Sequence, residues 1–305
     1  IVDSSALTEQ VVVDVLASAF DSAGQRCSAL RVLCLQDDVA DHTLKMLRGA
    51  MAECRMGNPG RLTTDIGPVI DAEAKANIEN HIQTMRAKGR PVFQAVRENS
   101  EDAREWRTGT FVPPTLIELA SFDELKKEVF GPVLHVVRYN RNNLNELVEQ
   151  INASGYGLTL GVHTRIDETI AQVTGSAKVG NLYVNRNMVG AVVGVQPFGG
   201  EGLSGTGPKA GGPLYLYRLL ANRPENALGV TLARQDAHYP VDTQVKTVLT
   251  QPLEALIAWA EKRPELRAVA RQYGELAQAG TQRLLPGPTG ERNTWTLMPR
   301  ERVLC

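Results

Sequence analysis

The sequence has few cysteines, almost no net charge and no long apolar run. Its four cysteines, at positions 27, 34, 54 and 305, form no CxxC pair and have no histidine at zinc-ligand spacing, so we expect no metal site and a reducing compartment. A formal net charge of -1 gives no reason to expect nucleic acid as the partner of this chain. No apolar run reaches the ~20 residues of a transmembrane helix, and the chain does not start with a signal-peptide pattern. We therefore expect a cytoplasmic protein.

The remaining composition is that of an ordinary globular protein. The chain has 305 residues, of which 43% are hydrophobic and 22% charged, and it is long enough for two domains. It starts with Ile1 and Val2, which we interpret as the end of a strand. We therefore expect the chain to be a piece of a longer protein.

Strand-like and helix-like segments alternate up to about residue 190. Apolar runs of strand length and composition occupy 31–36, 133–139, 158–163 and 181–185. Between them, apolar residues at helical spacing predict helices, one of which begins after Asp71 and continues to about Lys88. This alternation predicts an α/β fold around a largely parallel sheet. Residues 97–109 are densely charged and are predicted to form a solvated loop or insertion.

The chain changes character after residue 190. Residues 196–213 include seven glycines, which is typical of tight turns and close backbone contacts. The segment 200–205 matches G-x-G-x-x-G, but Pro208 follows where a dinucleotide-binding helix should begin, so we do not interpret it as a cofactor loop. Further on, a helix is predicted over 255–278 despite Pro264, and a strand over 295–298. The predicted division is a domain 1–190, a Gly-rich segment 191–218 and a partial second α/β domain 219–305.

Cys27 lies where a helix gives way to a strand. An amphipathic helix is predicted before it, with Asp3, Ser4 and Ser5 available as caps and Gly24 as its end. A side chain at such a crossing can reach a cleft, and the neighbouring Arg26 could favour the thiolate that attacks carbon. The alternative is an inert, buried thiol, which is the commoner state of a lone cysteine.

Three stretches in this order resemble the catalytic part of the aldehyde dehydrogenase superfamily: GQRCSALRV around Cys27, EVFGP at 128–132 and QPFGGEGLSG at 196–205. The resemblance covers about residues 1–213. It is strongest to the branch that oxidises L-glutamate γ-semialdehyde to L-glutamate with NAD, as part of bifunctional proline-oxidising proteins. It implies an aldehyde dehydrogenase catalytic domain over 1–190, preceded in the longer protein by a Rossmann-type domain and a proline dehydrogenase domain that holds FAD.

The resemblance also implies roles for single residues. Cys27 would be the nucleophile and its backbone N–H an oxyanion donor. Glu128 and Phe130 would hold the nicotinamide ribose of NAD. The substrate carboxylate and aliphatic chain would be bound by four further residues, Ser28, Gly190, Ala191 and Phe198. The alternatives are a solvated carboxylate at Glu128, a core aromatic at Phe130, a local cap at Ser28 and a turn at 190–191.

Parts of the family's pattern are expected outside these residues. The general-base glutamate, the asparagine of the oxyanion hole and the adenine-binding domain would fall before Ile1, so we predict that these 305 residues alone are inactive and bind NAD poorly. The resemblance implies a homo-oligomer, while peripheral membrane association and a DNA-binding segment of the longer protein stay open. Two other functions also stay open: a dehydrogenase for another semialdehyde such as succinate semialdehyde, and a non-catalytic assembly segment.

Overall fold

A computed structural model describes residues 1–96, 108–222, 253–277 and 279–298. Most of the predicted charged loop over 97–109 therefore lies outside the described residues. The chain divides into two compact units, the first formed by 1–190 with 199–206 and the second by 191–198 with 207–305. Among the described residues, no helix is long and apolar enough to cross a membrane.

The first unit is built on parallel strands, as the sequence predicts. Its strands are β1 Val32–Gln36, β2 Val92–Gln94, β3 Thr115–Glu118, β4 Val133–Tyr139, β5 Tyr156–Gly157, β6 Thr159–Val162, β7 Asn181–Val184 and β8 Glu201–Gly202. Four of them form a sheet in the order β1-β4-β3-β2, in which only the β2–β3 pair is antiparallel. A second pair, β6 and β7, is also parallel, whereas β5 and β8 are antiparallel.

Val2 connects the two parallel groups of strands. It forms parallel bridges with Leu35 of β1 on one side and with His163, just after β6, on the other. Its N–H donates to the Cys34 carbonyl at 2.8 Å and its carbonyl accepts from Gln36 at 3.0 Å. The first residues of the chain are therefore extended, as the sequence suggests, and they occupy a place within the sheet.

Five α-helices in the described part of the first unit cover the strands. They are α1 Thr8–Phe20, α2 Asp37–Glu53, α3 Ala72–Ala87, α4 Leu144–Ala153 and α5 Asp167–Ser176. Their apolar faces bury residues such as Val15, Leu47 and Ile82 against β1, β3 and β4. The predicted cap of α3 is confirmed, because the Asp71 carboxylate accepts from the Ala74 N–H at 2.7 Å.

The predicted ends of α1 are wrong. The helix begins after Leu7, which provides no side-chain cap. Of the three predicted caps, the Asp3 carboxylate instead accepts from the Ser5 N–H and hydroxyl and from the Thr164 hydroxyl, which hold the start of the chain to the loop after β6. The helix also ends at Phe20, four residues before Gly24, because a left-handed turn follows.

The described part of the second unit holds helical segments and a hairpin. Helix α6 covers Pro264–Leu276, and the antiparallel strands β9 Gln282–Leu285 and β10 Asn293–Thr296 follow it. The single helix predicted over 255–278 is wrong, because residues 253–260 form one helical segment and Pro264 begins the next. Proline has no N–H to donate inside a helix, and it is favoured at a first helical position, where none is needed.

Candidate active site

The backbone before Cys27 makes a left-handed turn. Ser22, Ala23 and Gly24 have φ values of 56°, 54° and 65° in succession. Only glycine adopts this region without strain, and other residues lose about 1–2 kcal/mol there. The turn reverses the chain directly after α1. It leaves the Cys27 thiol exposed and directs Ser28 into the interior, where it is buried.

The Arg26 side chain is hydrogen-bonded within the turn, whereas the Cys27 N–H makes no backbone bond in the described part of the chain. The Arg26 guanidinium donates from Nε to the Ser22 hydroxyl at 2.9 Å, which braces the turn. Among the described residues, the Cys27 amide donates to no backbone carbonyl. That N–H is therefore in a condition to donate to an oxygen of a bound molecule.

Arg31 joins the Cys27 turn to the stretch that contains Glu128 and Phe130. Its Nε donates to Glu128 Oε1 at 3.0 Å, and its guanidinium carbon lies 4.8 Å from the centre of the Phe130 ring. Its other nitrogens donate to the carbonyl oxygens of Gly24 at 2.6 Å, Arg26 at 3.2 Å and Gly131 at 3.3 Å. One side chain thus ties both sequence motifs together.

The two side chains of the Arg31–Glu128 ion pair differ in their exposure to solvent. The Arg31 side chain is 14% exposed, whereas that of Glu128 is 42% exposed. Burial lowers the pKa of the Arg31 guanidinium, and the neighbouring Glu128 carboxylate acts in the opposite direction. A buried charge is costly unless partners replace its contacts with water. The charged Arg31 is therefore stable at this position only while Glu128 and the three carbonyl oxygens bind it.

Gln25 fixes the turn from its other side. Its side-chain oxygen accepts from the Ile70 N–H at 2.8 Å, and its side-chain nitrogen lies 3.3 Å from the carbonyl oxygens of Pro68 and of Ser22. The amide therefore binds donor and acceptor groups of a separate loop. A side-chain amide offers both kinds of group in one plane.

Ser28 and Gly190 are brought together. The Gly190 N–H donates to the Ser28 hydroxyl oxygen at 3.1 Å, although the two residues are far apart in sequence. The Met188 N–H donates in the same way to Ser18 of α1, also at 3.1 Å. The stretch from Met188 to Gly190 is thus held by Ser18 of α1 and by Ser28, next to Cys27.

Two other residues predicted from the resemblance belong to the second unit. Ala191 begins its first segment and Phe198 ends it. Phe198 is half-buried and pairs with Ala210 in an antiparallel bridge, with N–H to O distances of 3.0 and 2.9 Å. Their predicted contacts with a substrate stay predictions.

Two histidines, His81 and His135, contact each other next to the backbone of Arg31. His135 of β4 is fully buried, its Nδ1 lies 3.1 Å from the Arg31 carbonyl oxygen, and its Nε2 lies 2.8 Å from Nε2 of His81 on α3. Since a carbonyl can only accept, Nδ1 of His135 carries its proton and His81 donates to the bare Nε2. Burial, and to a lesser extent the nearby His81, lowers the pKa of His135 to about 4, against the hydrogen bond to the Arg31 carbonyl, which raises it.

Sequence reasoning missed Arg31, Gln25 and His135 as parts of this site. Arg31 and Gln25 stand in the same GQRCSALRV stretch as Cys27, which was the available signal. Their roles depend on burial and on partners about 45 and 97 positions away, which the local pattern does not contain. Among the described residues, no cluster of three or more metal-ligating side chains occurs.

Comparisons with known proteins find a matching family and similar sequences. A family model described as the aldehyde dehydrogenase family matches residues 1–221. The "Bifunctional protein PutA" of Escherichia coli strain K12 is 89% identical over 305 residues, covering 100% of this chain and 23% of the relative. The chain therefore spans about a quarter of the length of that curated relative.

Solved structures are similar over the same region. A crystal structure of a bifunctional proline utilization A protein is 52% identical with a TM-score of 0.65, over 70% of this chain and 21% of the other. A 1-pyrroline-5-carboxylate dehydrogenase from Thermus with bound NAD is 34% identical with a TM-score of 0.61, over 69% of this chain and 39% of the other.

Proposed function

The chain belongs to the aldehyde dehydrogenase family, and from this premise we propose that it supplies the nucleophile and the nicotinamide-ribose site of an NAD-dependent L-glutamate γ-semialdehyde dehydrogenase in proline catabolism. The observation that carries the proposal is the exposed Cys27 thiol on a turn whose carbonyls bind the same Arg31 that holds Glu128 and Phe130. The nucleophile and the cofactor residues predicted from separate motifs thereby share one support.

The residues at 128 and 130 fit a ribose with hydroxyl groups. Glu128 is bonded through Oε1 to Arg31, and no second ion pair engages its carboxylate among the described residues, so an acceptor oxygen is available. Phe130 is 47% exposed, far more than a core aromatic, and can pack against the sugar. NAD, when bound, supplies the acceptor for the two electrons and the hydrogen that leave the substrate carbon.

The chain's own chemistry takes place at the Cys27 sulfur. The thiolate forms a C–S bond with the aldehyde carbon, and the carbonyl oxygen becomes an oxyanion to which the Cys27 N–H can donate. When the C=O bond re-forms and the hydrogen departs with its electron pair, Cys27 holds a thioester. Water then adds to this thioester and gives up its two protons to a general base and to solvent, the C–S bond breaks, and the carboxylate product leaves Cys27 as a thiolate.

The substrate proposal depends on Ser28 and the 190–191 stretch. The Ser28 hydroxyl accepts from Gly190, so its own hydrogen can be donated to a substrate carboxylate. Gly190 has φ of 76°, a backbone conformation that a residue with a side chain adopts only with strain. As the resemblance implies, we also propose that Ala191 and Phe198 take part in substrate binding. 1-Pyrroline-5-carboxylate is the cyclised, dehydrated form of glutamate γ-semialdehyde, so the similar structure named for it supports the same substrate.

The longer polypeptide is part of the proposal. Because the chain covers 23% of a relative named bifunctional, we infer that it functions within a polypeptide of that length, with an FAD-dependent proline dehydrogenase part and a homo-oligomeric assembly. We also infer that the general base and the adenine half of the NAD site come from that remainder. Assays therefore use a polypeptide of the relative's full length.

The test is a comparison of aldehydes. For that polypeptide, kcat/KM with glutamate γ-semialdehyde should exceed kcat/KM with succinate semialdehyde by at least about a hundredfold. Succinate semialdehyde lacks the α-amino group, and a site built to bind a polar group rejects a substrate without it. Equal values would reject the substrate and favour a dehydrogenase of broader range. No aldehyde-dependent reduction of NAD by the full-length protein would reject the proposed activity altogether.

A further inference from the structure

We propose that Arg31 is a positioning residue for the cofactor, which sets the Glu128 carboxylate and the Phe130 ring relative to the Cys27 turn. The inference rests on the proposed function, because Glu128 and Phe130 hold NAD only there. It assigns a role to a side chain that is not itself expected to touch substrate or cofactor.

The geometry points to Arg31 because it is shared by the two loops. The guanidinium donates to the Gly24 and Arg26 carbonyls on the nucleophile side and to the Gly131 carbonyl and Glu128 on the other. A planar group with several fixed donors constrains all of these partners at once, whereas a lysine could not reproduce the set. A shift of either loop therefore breaks contacts with the other.

Arg31 is less exposed to solvent than its partners Glu128 and Phe130. Arg31 is mostly buried, while Glu128 is 42% exposed and Phe130 is 47% exposed. An exposed glutamate side chain would otherwise sample several rotamers, and an exposed ring would be free to turn. The buried cation restricts both, at 3.0 Å through Nε and at 4.8 Å over the ring. The cofactor then meets a carboxylate that is already in place.

The backbone carbonyl of Arg31 is also fixed, by His135 of β4. Its own carbonyl accepts from the His135 N–H at 2.9 Å and lies 3.1 Å from His135 Nδ1. The backbone of Arg31 is thus fixed to β4 of the sheet, so the side chain projects from a rigid strand edge. This support distinguishes Arg31 from Arg26, whose exposed side chain donates only to the Ser22 hydroxyl among the contacts described.

The test uses Arg31→Met and Arg31→Lys in the full-length polypeptide, with NAD binding measured without aldehyde by isothermal titration calorimetry. Both variants should raise the Kd for NAD by about tenfold or more, the usual effect of removing a partner of a charged hydrogen bond. In steady state, KM for NAD should rise by a similar factor, while KM for the semialdehyde should change by less than about threefold. A purely structural arginine would instead lower stability and leave the Kd of the folded fraction unchanged.

A double-mutant cycle with Glu128→Gln shows whether Arg31 acts through Glu128. If it does, Arg31→Met should add little to the Kd of the Glu128→Gln protein, or partly restore binding, because the two changes affect one contact. A further tenfold loss in that background would overturn the proposal. The control is Arg90→Met, which removes a similar ion pair with Glu124 at 2.8 Å and should leave the Kd unchanged.

Failure of this inference is separable from failure of the proposed function. Loss of activity on Cys27→Ala together with wild-type NAD binding by Arg31→Met would reject the role of Arg31 alone. Retained aldehyde oxidation by Cys27→Ala would reject the proposed function, whatever Arg31 does.

Discussion

A β-carbon placed on Gly24 would lie 2.2 Å from the carbonyl oxygen of Gly131, so the nucleophile turn and the stretch after Phe130 touch backbone to backbone. Gly24 also has φ of 65°. Two independent requirements therefore exclude any side chain at this position. The contact keeps the two motifs at a fixed separation, with Arg31 bonded to the carbonyls of both glycines.

Gly24→Ala is predicted to be strongly destabilising. The backbone strain and the clash together should lower the free energy of unfolding by at least about 3 kcal/mol, measured by urea denaturation. Gly49→Ala is the matched control, because Gly49 lies inside α2 with nothing within 4 Å of the added carbon. It should raise stability by about 0.5–1 kcal/mol. Equal effects of the two alanines would contradict the described contact.

Gln25→Glu is predicted to loosen the nucleophile turn. The carboxylate can still accept from Ile70, but it has no donor for the Pro68 and Ser22 carbonyls. Stability should fall by about 1–3 kcal/mol, and the alkylation rate of Cys27 by iodoacetamide should change with it. The control is Gln172→Glu, whose side chain bonds Asn145 on the surface and whose loss should cost less than about 0.5 kcal/mol. An unaltered Gln25→Glu protein would mean that the turn does not depend on this amide.

Ser28→Ala and Ser18→Ala are predicted to separate substrate binding from loop support. Each removes the acceptor of one backbone N–H, that of Gly190 or that of Met188, and each should cost about 1–3 kcal/mol of stability. Only Ser28→Ala should also raise KM for glutamate γ-semialdehyde, by about tenfold, because it loses the hydroxyl proposed to bind the carboxylate. Similar KM values for the two variants would show that Ser28 merely supports the loop.

The His135 pair predicts a dependence of stability on pH. Unfolded His135 has the ordinary pKa of 6.5, while burial holds its folded pKa at about 4. Between these values the unfolded state binds a proton that the folded state does not, so the contribution of His135 to stability is fully present above pH 6.5 and is lost as the pH drops from 6.5 to 4. The slope for one histidine is at most about 1.4 kcal/mol per pH unit.

Hydrogen exchange of the β4 amides measures this dependence. His135→Gln should reduce the slope between pH 4 and 6.5, and His42→Gln, a change at an exposed position of α2, should not. An unchanged slope in the His135 variant would show that this histidine titrates normally in the folded protein.

The sequence was sufficient for the α/β architecture and for most helix and strand positions, because these depend on local periodicity. The Asp71 cap and the strand at 133–139 follow from short patterns and are confirmed. Pro264 was misjudged because the surrounding apolar spacing continues through it, although a proline at that place begins a helix.

The contacts within the site were less accessible from sequence. The GQRCSALRV stretch marks the Cys27 region, but it does not show that Ser22 and Ala23 are left-handed or that Arg31 is buried. Those features arise from packing against Gly131, Glu128 and β4, about a hundred positions later. The Ser28–Gly190 bond is likewise a tertiary contact between residues that the resemblance had named separately.

The central claim is that Cys27 is the nucleophile, and the rate of NADH formation by Cys27→Ala in the full-length polypeptide tests it most directly. With saturating glutamate γ-semialdehyde and NAD, the rate should fall by at least about a thousandfold, because alanine at position 27 has no sulfur with which to form the thioester. Cys54→Ala, which removes a thiol at the end of α2, should remain near the wild-type rate. A Cys27→Ala protein that keeps more than about a tenth of the wild-type rate would contradict the claim.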